Sequence, residues 1–98
     1  MIIIISDPAE RDLLEGHCFY DLQDRGLGDY FLDSLFSDID SLLLFAGIHR
    51  EVFGCHRLLA KRFPYAVYYS LEVDTISVWR VLDCRRDPQW IIDQLASQ

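Results

Sequence analysis

Hydrophobic positions along the chain change rhythm once. Ile2 to Ile5 is an unbroken run of β-branched residues and reads as a short strand buried on both faces. Ser6-Asp7-Pro8 ends it. Asp7 is expected to cap a helix whose first position is Pro8, where the missing N–H costs nothing. That helix extends to about Asp24. Its apolar stripe is Leu14, Cys18 and Leu22, flanked by Leu13, His17 and Tyr20, with Glu10, Asp12, Glu15 and Asp21 mostly off it. Gly16 weakens the helix by about 1 kcal/mol relative to Ala and leaves room for another element to approach. Gly26 suits a left-handed cap. A second helix, to about Phe45, has the clearest stripe in the chain: Leu27, Phe31, Leu35, Ile39 and Leu42, broadened by Leu32, Phe36 and Leu43. Asp29, Asp33, Ser37 and Asp40 line its other face.

From Gly47 to Gly54 the pattern is that of a loop. The period then becomes strand-like over Cys55–Arg62, Ala66–Leu71 and Thr75–Leu82. The last two form an antiparallel hairpin through a short acidic turn. Asp87-Pro88 repeats the cap signal and opens a short C-terminal helix. The order β-α-α-β-β-β-α implies an α+β fold, one domain over residues 1–98, with the helical hairpin packed on a mostly antiparallel sheet. Alternation puts Val67, Tyr69 and Leu71 toward the helices. It groups Arg57, Leu59 and Lys61 on one face, with Arg62 on the other.

Composition agrees: 98 residues at 51% hydrophobic and 13% aromatic can build one core. A domain this small buries only about 60–65% of its unfolded surface, so a partner or a second copy has room to contribute. The net charge of −7 conceals an asymmetry. Up to Phe45 there are ten Asp or Glu against two Arg; from Ala46 onward there are seven Lys or Arg against six acids. Nucleic-acid binders usually present a basic patch, so any such patch here is small and local. Cys18, Cys55 and Cys84 show no C-x-x-C spacing and read as reduced thiols of a cytoplasmic protein. Scattered ligands such as Cys55, His56, Cys84 and His17 make a poor zinc site, and no metal or cofactor is expected. "MIIII" is too short for a signal peptide, and no apolar run approaches the ~20 residues of a membrane span.

The stretch "RFPYAVYYSLEVDTISVWRVLDCRRDPQW" resembles the signature end of the RelE/ParE superfamily of bacterial toxin–antitoxin modules, and "DRGLGDYFLDSL" is similar to that family's second helix. The resemblance runs from Ile2 to about Ile92. It implies a small toxin neutralised by a cognate antitoxin, which folds onto it. RelE-like members cut mRNA on the ribosome; ParE-like members poison DNA gyrase by binding. Carried over by position, the basic residues of RelE-like cleavage fall on Arg57, Leu59, Ala66 and Arg86, and the C-terminal Tyr on Ile92. Asp83 stands where the family often has His.

Metal-free RNA cleavage needs a base, an acid and cations for the phosphorane. His56 could supply the base, with Arg57 and Arg86 as cations. Leu59 and Ala66, however, would be apolar where charge develops, and losing one such donor costs ~10²–10³ in rate. The ParE-like binding reading therefore ranks above the nuclease, and an attenuated protein-binding relative is the third reading. The expected target-binding residues are Arg57, Lys61, Arg85 and Arg86. The bland reading of Arg85-Arg86 is ion pairing with Asp83 or Asp87, worth about 0–1 kcal/mol. Tyr65, Tyr68 and Tyr69 read as sheet packing before base stacking. Expected partners are an antitoxin, then gyrase or the ribosome with mRNA, with a homodimer as a further option and no membrane.

Overall fold

The computed structural model describes residues 1–97. Strand β1 (Ile2–Ile5) leads into helices α1 (Asp7–Gln23), α2 (Leu27–Asp40) and α3 (Leu42–Phe45). Strands β2 (Glu51–Val52), β3 (Cys55–Leu59), β4 (Tyr65–Leu71) and β5 (Thr75–Asp83) follow, and α4 (Pro88–Ala96) closes the order. The five strands form one sheet, β1-β5-β4-β3-β2, antiparallel except where β1 lies parallel to β5. The expected α+β architecture is present, with two additions. The second helix breaks at Ser41, whose hydroxyl donates back to the Asp38 carbonyl, so its last turn is the separate α3. The expected loop holds β2, joined to β3 by Phe53 and Gly54, both at positive φ (54° and 81°). A two-residue turn of this hand usually carries Asn or Asp first; Phe53 hides it from a sequence reading.

β1 stops against Val78 while β5 continues to Asp83, which leaves part of the β5 edge uncovered. Side chains complete it. Ser6 Oγ donates to the Trp79 carbonyl at 2.8 Å, and Asp12 Oδ2 accepts the Val81 N–H at 3.0 Å. Ser6 is also the cap of α1, accepting the Ala9 N–H; Asp7, the expected cap, is already helical.

A register shift between Tyr68 and Tyr69 skips Trp79 on β5, since Tyr68 pairs with Arg80 and Tyr69 with Val78. A bulge of this kind changes side-chain parity. Val78 and Val81 therefore both enter the main core, with Leu58, Val67, Tyr69, Ile76 and the α2 stripe. Leu71 is exposed at the strand end rather than turned into this core. On the other face Ala66, Tyr68 and Leu82 pack beneath Ile91 of α4.

The centre of the second-helix stripe, Phe31, Leu35, Ile39 and Leu42, is buried as its periodicity predicts, while Phe36 and Leu43 at its edge are exposed, and the α1 stripe is not buried. Leu14, Cys18 and Leu22 are exposed, and α1 buries Ala9, Asp12, Leu13, Gly16 and Tyr20 instead. Gly16 explains part of this: a Cβ there would lie 2.5 Å from the Phe31 ring. That ring cannot swing aside, because Tyr20, Phe63 and Tyr65 surround it.

Candidate functional site

The two faces of the sheet divide the sequence-predicted residues. His56 pairs with Tyr69 and stacks on its ring at 5.1 Å, on the face toward the helices. Its Nδ1 donates to the His49 carbonyl at 2.9 Å. The Tyr69 hydroxyl accepts the Gly47 N–H at 3.0 Å and is also hydrogen-bonded to His49 Nδ1. Burial, and secondarily His56, pushes the His49 pKa below the usual histidine range.

Arg57, one residue on, belongs to the opposite face. It pairs with Tyr68 across the strands and lies against the Tyr68 hydroxyl and the Cys84 thiol. Burial raises the pKa of both groups, and Arg57 only partly offsets it. His56 and Arg57 are therefore separated by the thickness of the sheet, and the base and cation of a nuclease site do not converge.

Lys61 lies beyond the end of β3, which stops at Leu59 rather than Arg62, so strand parity does not place it beside Arg57. It is exposed, and its N–H donates to Oδ2 of the buried Asp38 at 3.1 Å.

Arg85 is clamped by Asp83. Its Nε and backbone N–H reach Oδ1 at 3.0 and 2.8 Å, and Nη2 reaches Oδ2 at 2.8 Å. Burial pushes the Asp83 carboxyl up, but these bonds outweigh it and hold its pKa below the usual carboxylate range. Arg86 sits over Trp90, its guanidinium carbon 3.8 Å from the ring centre. Such stacking leaves the guanidinium edge free to meet an anion or a carbonyl.

Beside this pair is an open cleft of ≈ 410 Å³ between α1, the exposed β5 edge and α4, lined by Asp12, Glu15, Phe19, Tyr65, Asp83, Arg86 and Trp90 among others. Burial, then Tyr20 and Asp83, pushes the Tyr65 phenol up to about 12, so it stays protonated near neutral pH. Of the expected cations, only Arg86 lines the cleft.

Sequence reasoning missed the pair behind the cleft. Arg80 grips Asp12 with two hydrogen bonds, Nε to Oδ2 at 2.7 Å and Nη2 to Oδ1 at 2.8 Å, and its Nη1 reaches Gln94 Oε1 at 3.1 Å. One guanidinium thus ties β5 to α1 and α4. The available signal was spacing: Asp12 lies between Ala9 and Gly16 on one helical face of small residues.

Two other sets do not gather. His17 pairs with Asp29 at 3.0 Å in the helical hairpin, on a different part of the molecule from Cys55 and Cys84. Among the described residues no three His, Cys, Asp or Glu are grouped to hold a metal, and no helix is long and apolar enough to cross a membrane.

No protein-family model matches the sequence, and curated proteins give no significant match. A solved structure does match. The chain superposes with a TM-score of 0.75 and 20% identity on a chain of "Chromosomal ParDE TA system from P. aeruginosa", covering 83% of this chain and 92% of that one. The two share a fold.

Proposed function

We propose that this chain is the toxin component of a type II toxin–antitoxin module, ParE-like, neutralised by an antitoxin and acting by binding a target of the gyrase type. The observation that carries the reading is the shared fold with a ParDE chain over most of both molecules. Binding is preferred to catalysis because His56 and Arg57 lie on opposite faces of the sheet. Arg86, stacked on Trp90 at the mouth of the cleft, is the leading target contact, with Arg57, Lys61 and Arg85 as further candidates.

The test is induction in a bacterium, with and without the product of a neighbouring gene, read by a DNA-damage reporter and by amino-acid incorporation. Growth arrest with the reporter on and translation continuing is the expected result, relieved by the co-expressed partner. Arg86→Ala should reduce the arrest with an unchanged melting temperature, since the side chain is exposed. Translation arrest with cleaved mRNA would instead favour the RelE-like endoribonuclease. Normal growth at verified soluble expression would end the toxin reading and leave the attenuated binding module.

A further inference from the structure

The segment after α3 is fastened to the sheet through one buried hydroxyl. Tyr69 of β4 is fully buried, and its hydroxyl accepts the Gly47 N–H at 3.0 Å and is hydrogen-bonded to His49 Nδ1. The backbone of His49 acts on the same oxygen as the Gly47 backbone does, favouring its ionised form. Burial outweighs both and raises the phenol pKa above the usual tyrosine range, so the hydroxyl keeps its proton. With two backbone groups directed at the oxygen, His49 Nδ1 is the acceptor left for the O–H. His56 of β3 adds a second fastening. Its Nδ1 donates to the His49 carbonyl at 2.9 Å, and its imidazole stacks on the Tyr69 ring.

We propose that His49 is a pH-sensitive latch: the neutral imidazole accepts the Tyr69 hydroxyl and holds residues 47–50 on the sheet, and the imidazolium releases them. A proton on Nδ1 turns it into a donor. Donors then surround one buried oxygen whose own proton has lost its acceptor, and an unpaired buried polar group is costly. The surrounding groups do not favour the cation. His56 from β3 and Tyr69 from β4 pack against His49. Arg50 and Glu51, both exposed, follow it in the chain, and Glu72, exposed, lies just past β4. Leu42–Phe45 of α3 carry no charge. Burial, and next His56, disfavour the charged form, and no carboxylate offsets them. The latch therefore contributes fully above the unfolded histidine pKa of about 6.5, and its contribution is lost as pH falls through the lower folded value.

The test is amide hydrogen exchange of the purified full chain by NMR at pH 7.5 and 5.5, with protection factors corrected for the intrinsic rate at each pH. Gly47 reports the latch directly, because its N–H is bonded to the Tyr69 hydroxyl. Its protection should fall about tenfold over this range, while that of Val67 in the core stays within about twofold. His49→Asn places an amide oxygen near the Nδ1 position and takes up no proton, so Gly47 should stay equally protected at both pH values. Tyr69→Phe removes the hydroxyl and should cost Gly47 its protection already at pH 7.5. Constant Gly47 protection in the parent overturns the proposal, as does a fall that persists in His49→Asn. Gly47 still protected in Tyr69→Phe overturns it too. Val67 falling in step with Gly47 would mean that the whole domain opens, and that no local latch exists.

Discussion

Helix α2 turns Phe31, Leu35 and Ile39 toward the sheet, whereas α1, its partner in the hairpin, turns in Ala9, Asp12, Leu13, Gly16 and Tyr20. Both helices carry a stripe of large apolar residues, but only that of α2 is buried. The α2 side chains fill the main core with apolar volume, and removal from water drives their burial. α1 adds Leu13 and Tyr20 to that core and is positioned as well by shape and by charge. Gly16 admits the Phe31 ring, and Gly28 of α2 approaches α1 so closely that a Cβ there would lie 2.6 Å from the His17 carbonyl oxygen. Asp12 meets Arg80 and the open edge of β5. Turning Leu14 and Leu22 inward would leave the Arg80 guanidinium and the Val81 N–H without Asp12. An unpaired buried charge costs about 3–5 kcal/mol and an unpaired buried N–H about 1–3 more, which together offset what burying two leucines recovers. Hydrophobicity therefore selects the inward face of a helix only when no buried polar obligation competes for it.

The largest effect that can break this comparison is expected from Asp12→Ala. It removes a bidentate partner from Arg80, whose side chain is only 11% exposed. Equilibrium urea unfolding should show a loss of about 3–5 kcal/mol. Arg80→Met added to it should recover part of that loss. A change under about 1 kcal/mol would mean that α1 is held by its apolar contacts after all.

A smaller effect is expected from Gly16→Ala. Overpacking against the Phe31 ring costs about 1–3 kcal/mol, and the gain in helix propensity returns at most about 1. The melting temperature should fall. A rise would show that the ring has room to move, and that the close approach of α1 to α2 is incidental.

The smallest effect is expected on the stripe itself. Leu22 is 88% exposed. Leu22→Ser should stay within about 0.5 kcal/mol of the parent. A loss of 2 kcal/mol or more in thermal or urea unfolding would place Leu22 in a core and reverse the orientation of α1.

Only part of the candidate site was legible in the sequence, by routes of different strength. The sequence reading grouped His56 with Arg57, although adjacent residues of a strand face opposite sides, and the structure puts them on opposite faces of the sheet. The same rule misplaced Lys61, because it needs the strand to continue, and β3 ends at Leu59. Arg85 and Asp83 are two residues apart, so their pairing was foreseeable as a local contact. Arg86 over Trp90 spans one helical turn, yet nothing in the spacing says that the guanidinium will lie on the ring. The cleft beside them joins α1, β5 and α4, which are distant in sequence, and could not be read from any one segment.

Periodicity and punctuation by Gly, Pro and Asp were enough to determine the α+β class, the element order apart from α3 and β2, the face of α2 and the packing role of Tyr68 and Tyr69. Those features follow from local sterics and from burying apolar area, and both are written residue by residue. The tertiary structure alone decided which face of α1 is covered, the bulge that turns Val81 inward, and the reach of Asp12 to a strand 69 residues away. Each of these satisfies a buried polar group or fills a specific gap, and such a need exists only once distant segments have met.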